Sequence, residues 1–120
     1  MKIAISASGA SLDAPLDPRF GRAAQFIVLD GATGAFTVHD NTHNLNAAQG
    51  AGIQAAETVS RLGAEVVITG HCGPKAFRAL QAAGIQVVTV ATGTVREVFE
   101  RFQKGKLQPA TSADVEGHWV

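Results

Sequence analysis

The spacing of the apolar residues changes near residue 41, and this change limits the possible folds more than any other feature of the chain. Before it, apolar residues form short runs typical of β-strands, at residues 3–5, 25–30 and 36–39. After it, stripes at helical spacing alternate with the buried runs 66–69 and 85–90. The sequence therefore predicts three strands followed by alternating helices and strands.

Residues that favour helix ends support three helices in the second part of the chain. A glycine follows each helical stripe, and glycine is typical of the position just after a helix. Pro74 suits the first turn of the second helix, and Thr94 with Glu97 forms a capping-box pattern at the start of the third. The predicted buried stripes are Ala51, Ala55, Val59 and Leu62, then Ala76, Ala79, Leu80 and Ala83, then Val95, Val98, Phe99 and Phe102.

The predicted order is β-β-β-α-β-α-β-α, which indicates an α/β fold. The last two β-α units require parallel strands with right-handed crossovers, whereas the opening hairpin adds an antiparallel strand. We therefore expect a mixed five-stranded sheet with helices on its faces. Residues 1–108 are predicted to form a single cofactor-binding domain, and residues 109–120, including Trp119, a C-terminal tail.

Composition excludes several classes of function. The 10 basic and 10 acidic side chains give a formal net charge of +0, which argues against general nucleic-acid binding. No apolar run approaches the roughly 20 residues that span a bilayer, and the first residues do not resemble a signal peptide. We expect a cytoplasmic protein that binds neither nucleic acid nor membrane. The single cysteine, Cys72, excludes an intrachain disulfide and a cysteine-based zinc cage.

The predicted sheet indicates where a ligand would bind. In open α/β sheets, ligands collect beyond the carboxyl ends of the parallel strands. Three glycine-bearing segments, 8–9, 69–73 and 91–93, follow such strand ends. The second and third helices begin close by, and their first N–H groups would favour an anion.

Charge is distributed unevenly around these segments. No acidic residue occurs from Val66 to Arg96, where Lys75 and Arg78 lie, or from Arg19 to Leu29, which contains Arg22. Charge-assisted hydrogen bonds from several such residues, each worth roughly 1.5–3 kcal/mol, would hold a multiply charged anion without a covalent bond. The alternative is that these are ordinary solvated residues and that Arg19 caps a loop.

Cysteine and histidine provide the candidate metal ligands. Cys72 precedes a helix, where a thiolate would be stabilised, and together with His71 it could bind a soft metal such as copper(I). Cys72 could equally be a small residue packed in the core. His39 with His43 is a weaker candidate pair, and His118 is weaker still.

Several kinds of enzyme lack their motifs in this sequence. Neither a Gly-x-Gly-x-x-Gly nor a Walker A motif occurs, and no Gly-x-Ser-x-Gly elbow is present. The strand order invites comparison with ribonuclease-H-like nucleases, but those need clustered carboxylates. The first strand offers Lys2, Ala4 and Ser6 instead, and 66–69 contains no acid. We expect a protein that is not an enzyme.

Several segments together resemble the dinitrogenase iron–molybdenum cofactor biosynthesis family. The Arg-Phe-Gly-Arg signature appears at 19–22, followed by Ala23 and Phe26, and the central Asn and glycine-rich helix start appear as Asn41 and 50–53. The resemblance covers roughly residues 1–108. It continues through 67–70, Gly73-Pro74, Ala76-Phe77, Leu80, 83–85, the closing helix from Thr94 to Phe102, and 105–107.

This resemblance implies a ribonuclease-H-like three-layer fold without nuclease residues and a role in carrying anionic molybdenum or iron–sulfur clusters. The chain is most similar to members that hold a sulfide-bridged molybdenum–copper cluster non-covalently and are associated with nucleotide-binding iron–sulfur ATPases. Gln49 stands where members that deliver nitrogenase cofactor often have histidine. The predicted cluster site comprises Ser8, Arg19, Arg22, His71, Cys72, Lys75 and Thr92, with Cys72 and His71 as metal ligands.

Other functions are also consistent with the sequence. The chain could carry an iron–molybdenum cofactor or an iron–sulfur cluster. It could also be a regulatory module without a cofactor, which binds a partner through its hairpin and tail.

Overall fold

The computed structural model describes residues 1–41 and 50–110, which form a mixed sheet with helices on both faces. The predicted element order is confirmed. The strands are β1 Lys2–Ala7, β2 Gln25–Asp30, β3 Phe36–Asp40, β4 Val66–Thr69 and β5 Gln86–Thr89; the helices are α1 Ala51–Arg61, α2 Pro74–Ala82 and α3 Val95–Gln103.

The five strands lie in the order β3-β2-β1-β4-β5. β2 is antiparallel to both of its neighbours, while β1, β4 and β5 are parallel. β1, β3, β4 and β5 therefore end at the same edge of the sheet. Loops and helix starts meet at this edge, as the sequence predicts.

Each face of the sheet has its own apolar core. On one face α1 and α2 pack against the sheet through residues such as Ala55, Val59, Phe77 and Leu80. On the other face α3 packs through Val95 and Val98. The prediction of helices on both faces is confirmed. The finer label, ribonuclease-H-like, stays a prediction.

Strand β3 is an edge strand and is more exposed than its alternating pattern suggests. None of its residues is fully buried, and Phe36 keeps 44% of its surface exposed. His39 lies on this strand, with Nε2 2.8 Å from the Thr37 hydroxyl. Its predicted metal-binding partner, His43, lies outside the described residues, as do Gln49, His118 and Trp119.

The outer edge of β5 is partly covered by the end of the described chain. The Ala110 N–H donates a hydrogen bond to the Val87 carbonyl, 2.7 Å away. This contact lies beyond residue 108, the predicted end of the domain. The division into domain and tail stays a prediction, since residues 111–120 lie outside the described part.

No helix in the described ranges is long and apolar enough to cross a membrane.

Candidate functional site

A groove of about 800 Å³ opens at the edge of the sheet where β4 ends. Three segments enclose it: the loop 19–22, the start of α1 and the start of α2 with the residues before it. We call it the basic groove; its lining residues are Arg19, Phe20, Gly21, Arg22, Gly50, Ala51, Gly52, Ile53, His71, Gly73, Pro74, Lys75, Ala76 and Arg78.

Every charged side chain among these lining residues is basic. Arg19 and Arg22 come from the loop, and Lys75 and Arg78 come from α2. The two pairs are far apart in the sequence but meet because the loop crosses the end of β4. The predicted gathering of Arg19, Arg22 and Lys75 on one face is therefore found in the structure.

Phe20 anchors the loop that carries the two arginines. Its side chain is buried, and its ring centroid lies 5.3 Å from that of Phe26 on β2. The backbone of the loop also pairs with the segment after β4: His71 N–H donates to the Pro18 carbonyl at 2.7 Å, and Phe20 N–H donates to the His71 carbonyl at 3.2 Å. The loop is therefore held against β4 by both packing and hydrogen bonds.

Two glycines allow the close approaches that shape the groove. A Cβ at Gly21 would lie 2.7 Å from the Gly52 nitrogen in α1. A Cβ at Gly70 would lie 2.5 Å from Pro18 Cα. Both distances are shorter than real side chains show, so loop, helix and strand end could not meet here with larger residues.

The starts of α1 and α2 present backbone donors at the groove. The first N–H groups of an α-helix have no partner within the helix, and the caps Gly50 and Gly73 supply no side-chain hydrogen bond. Neither first turn contains an acidic residue. Both helix starts therefore add partial positive charge to the groove.

The prediction that the third helix would offer its N–H groups to the same ligand is wrong. In α3, Val95 N–H donates to the Ala14 carbonyl at 3.0 Å and Arg96 N–H to the Leu12 carbonyl at 2.8 Å. Glu97 N–H donates to Thr94 Oγ1, which completes the predicted capping box. These donors are used within the protein, and α1 takes the place that the sequence analysis gave to α3.

Three of the predicted site residues lie outside the groove lining. Ser8 is exposed, and its hydroxyl donates to the Pro15 carbonyl at 3.0 Å. Thr92 is also exposed, beside the start of α3. Cys72 is only 1% exposed and belongs to the core beneath α1 and α2. The structure brings together Arg19, Arg22, His71 and Lys75 from the predicted set.

The groove also includes residues that sequence reasoning did not assign to the site. Arg78 is basic and the segment 50–53 resembles the helix start of the family, but neither is among the predicted site residues. Ile53 and Pro74 supply apolar walls. A usable signal is present, because 50–53 begins a helix whose first turn contains no acidic residue.

The donor set suits an anion better than a bare metal ion. It consists of guanidinium, ammonium and amide N–H groups around an apolar wall. Across residues 1–41 and 50–110, no group of three or more His, Cys, Asp or Glu side chains could hold a metal ion. An anionic guest would meet hydrogen-bond donors on several sides.

The fold and groove thus define a small α/β protein with a basic groove at the carboxyl edge of its sheet. The family described as "Dinitrogenase iron-molybdenum cofactor" matches residues 1–105. The chain belongs to this family, as the sequence analysis predicts.

Relatives of known structure agree with this assignment. The apo orange protein from Desulfovibrio gigas is 47% identical with a TM-score of 0.92, covering 95% of this chain and 96% of that one. A candidate NifB protein of the DUF35 family from Thermotoga is 34% identical with a TM-score of 0.84, covering 97% and 98%. The similarity to the orange protein therefore holds for both sequence and fold.

A more distant relative has no described function. It is an uncharacterized protein from Methanocaldococcus jannaschii, 28% identical over 95 residues, or 78% of this chain and 80% of that protein.

Proposed function

We propose that this protein carries an anionic metal–sulfur cluster in the basic groove and does not act as an enzyme. The observation that supports this most directly is the charge of the groove. All its charged lining residues, among those described, are basic, although the formal net charge of the chain is +0. Such a concentration of one charge raises the local concentration of a guest of opposite charge.

The size and surface of the groove favour a cluster over a simple oxyanion. A volume of about 800 Å³ accommodates a guest of many atoms. The apolar walls at Ile53, Pro74 and Ala76 suit weakly hydrated sulfide better than strongly hydrated phosphate or sulfate. Lys75, Arg78 and the helix starts would compensate its negative charge.

We propose a sulfide-bridged molybdenum–copper cluster, held without covalent bonds, as the guest. The similarity to the orange protein supports this identity. Nucleotide-binding iron–sulfur ATPases are the proposed partners, and the cytoplasm is the proposed location. His71 is the predicted metal ligand that reaches the groove, whereas Cys72 lies in the core.

An iron–molybdenum cofactor or iron–sulfur cluster is the second candidate, supported by the description of the family. The two candidates differ in metal content. Protein purified anaerobically from its native host would contain molybdenum and copper in the first case, and iron in the second. Native protein without any of these metals would contradict both and would favour a regulatory module.

Reconstitution tests the site directly. Anaerobic protein is mixed with tetrathiomolybdate and copper(I), desalted, and examined for a sulfide-to-molybdenum charge-transfer band that elutes with the protein. We expect Lys75→Glu and Arg78→Glu to lose most of this band, because each change places a negative charge in the groove. Arg61→Glu is the matched control, since Arg61 is exposed in the last turn of α1 and does not line the groove.

Two results of this experiment would contradict the proposal. A wild-type protein that retains no band would contradict the proposed function. Equal retention by the groove variants and the Arg61→Glu control would place the guest elsewhere on the molecule.

A further inference from the structure

The loop that forms one wall of the basic groove rests on a layer of buried polar residues. Four polar side chains are buried in the described part of the chain: Ser6, Asp17, Asn41 and Thr69. Asn41 donates to the carbonyls of Ala23 at 2.9 Å and Gly21 at 3.3 Å. Ser6 Oγ donates to the Asp17 carbonyl at 2.7 Å and lies 2.8 Å from Thr69 Oγ1. All four therefore support residues 17–24, directly or through a neighbour.

Asp17 differs from the other three because it carries a charge. Its side chain is only 3% exposed, so an unpaired carboxylate there would be costly. Oδ1 accepts from the Arg19 N–H at 3.0 Å and Oδ2 accepts from the Ala24 N–H at 3.3 Å. The carboxylate thus fixes the loop backbone at the start of the Arg-Phe-Gly-Arg segment and two residues after its end.

The same carboxylate also holds the Arg19 side chain. Arg19 Nε lies 3.3 Å from Oδ1, and Nη2 lies 3.4 Å from Oδ2. The fork of the guanidinium directs its remaining N–H donors away from this carboxylate. The Arg19 side chain is 58% exposed and lines the groove, so the buried carboxylate orients a solvent-facing cation.

We propose that Asp17 is a positioning residue that fixes the Arg19 guanidinium at the groove wall before the guest binds. This inference rests on the proposed function, because Asp17 acts on the guest through Arg19. A long side chain that is ordered in advance loses less conformational entropy on binding. Without Asp17, the Arg19 side chain would become ordered only when the guest binds, and this entropy cost would weaken binding. Loss of the Asp17 negative charge beside the groove would act in the opposite direction and strengthen binding.

A double-mutant cycle measures this coupling. Each protein is loaded anaerobically with tetrathiomolybdate and copper(I), and the rate at which the band transfers to excess immobilised wild-type protein is recorded. We expect Asp17→Asn to release the guest about twofold to tenfold faster, the range that ordering one long side chain implies. Arg19→Ala should also release it faster, and Asp17→Asn should accelerate release less in the Arg19→Ala background than in the wild type.

Arg19→Lys separates positioning from charge and avoids any change in the buried layer. Lysine keeps the positive charge but cannot pair with a carboxylate through a planar fork. We expect faster release from Arg19→Lys as well. Release at the wild-type rate from Arg19→Lys would overturn the proposal, as would independent effects of Asp17→Asn and Arg19→Ala that multiply in the double variant.

A second Arg–Asp pair provides the matched control. Arg96 Nε lies 3.1 Å from Asp13 Oδ1, and neither residue lines the groove. Asp13→Asn and Arg96→Lys should release the guest at the wild-type rate. If wild-type protein holds no guest, the proposed function fails; if it does and Lys75→Glu loses it, an uncoupled cycle overturns only the role of Asp17.

Discussion

His71 and Cys72 are adjacent in the sequence but lie in different environments. The backbone is extended at His71, where it forms a β-bridge with Arg19. Successive side chains of an extended chain point to opposite sides. The His71 side chain therefore faces the basic groove, and Cys72 is buried in the core. Two adjacent residues thus differ in role, since His71 is a candidate ligand and Cys72 packs in the core.

Gly21 tests the close contact between the groove loop and α1. In Gly21→Ala the new methyl group would lie 2.7 Å from the Gly52 nitrogen and 2.9 Å from its Cα. Backbone cannot yield as a flexible side chain does, so we expect a loss of about 1–3 kcal/mol in the free energy of unfolding. Urea denaturation measures this loss, and unchanged stability would show that the loop can move away from α1.

Asp30 provides a test of pH dependence. Hydrogen bonds from the Ala32 and Thr33 N–H groups, the former 2.8 Å long, lower the pKa of the Asp30 carboxyl below its ordinary value. A pKa lowered by folding adds stability above the pKa of the unfolded chain, and this stability is lost as the pH falls through the folded-state pKa. Asp30→Asn removes the titrating group.

The comparison with Asp30→Asn should therefore depend on pH. We expect wild-type protein to be more stable than Asp30→Asn above about pH 4, with the difference shrinking in more acidic solution. Urea denaturation over a pH series measures it. A difference that grows on acidification would contradict the assignment of these hydrogen bonds.

At the scale of secondary-structure elements, the three helices differ in how their first turns are satisfied. α1 and α2 begin at glycines without side-chain caps and face the groove. α3 begins with a complete capping box, and its first two N–H groups donate to the carbonyls of residues 14 and 12. The starts of α1 and α2 thus face the proposed anion site, whereas the start of α3 is satisfied within the protein.

Removing the α3 cap should affect stability but not guest binding. Thr94→Ala eliminates the 3.1 Å hydrogen bond from Glu97 N–H, which should lower the free energy of unfolding by about 1 kcal/mol. Thr94→Ser keeps the hydroxyl and serves as the control. Thermal denaturation measures stability, and loss of the charge-transfer band by folded Thr94→Ala would contradict our placement of the site.

At the scale of the whole molecule, charge is balanced in number but not in position. The chain has 10 basic and 10 acidic side chains, yet four basic residues meet in the groove and no described acidic residue lines it. The loop joining β1 to β2 brings two of them to the start of α2. Local potential, rather than net charge, therefore determines what the groove attracts.

Binding should consequently depend on salt in spite of the zero net charge. Between about 0.1 M and 1 M salt the Debye length falls from about 10 Å to about 3 Å, which screens the groove. We expect guest release to become several-fold faster over this range, as measured by transfer of the band. Salt-independent release would indicate that apolar contact, rather than charge, retains the guest.

Much of the fold follows from the sequence alone. Short-range signals specify the secondary-structure elements, because they act over only a few residues. These signals are the strand and helix periods, the glycines after the helices, Pro74 and the Thr94–Glu97 capping box. The edge that carries the site also follows, since parallel strands share one carboxyl end. Arg19, Arg22 and Lys75 were predicted there from charge and spacing.

Only the tertiary structure decided which groups complete the groove. The start of α1, and not that of α3, contributes to the groove because of two contacts. The segment 11–14 accepts hydrogen bonds from the start of α3, and Gly21 lies close to Gly52 in α1. That Asp17 lies beneath Arg19 depends on its contact with Ser6 on β1. These are contacts between segments distant in the chain, and they form only when the loops pack against the sheet. Local sequence patterns therefore do not predict these contacts.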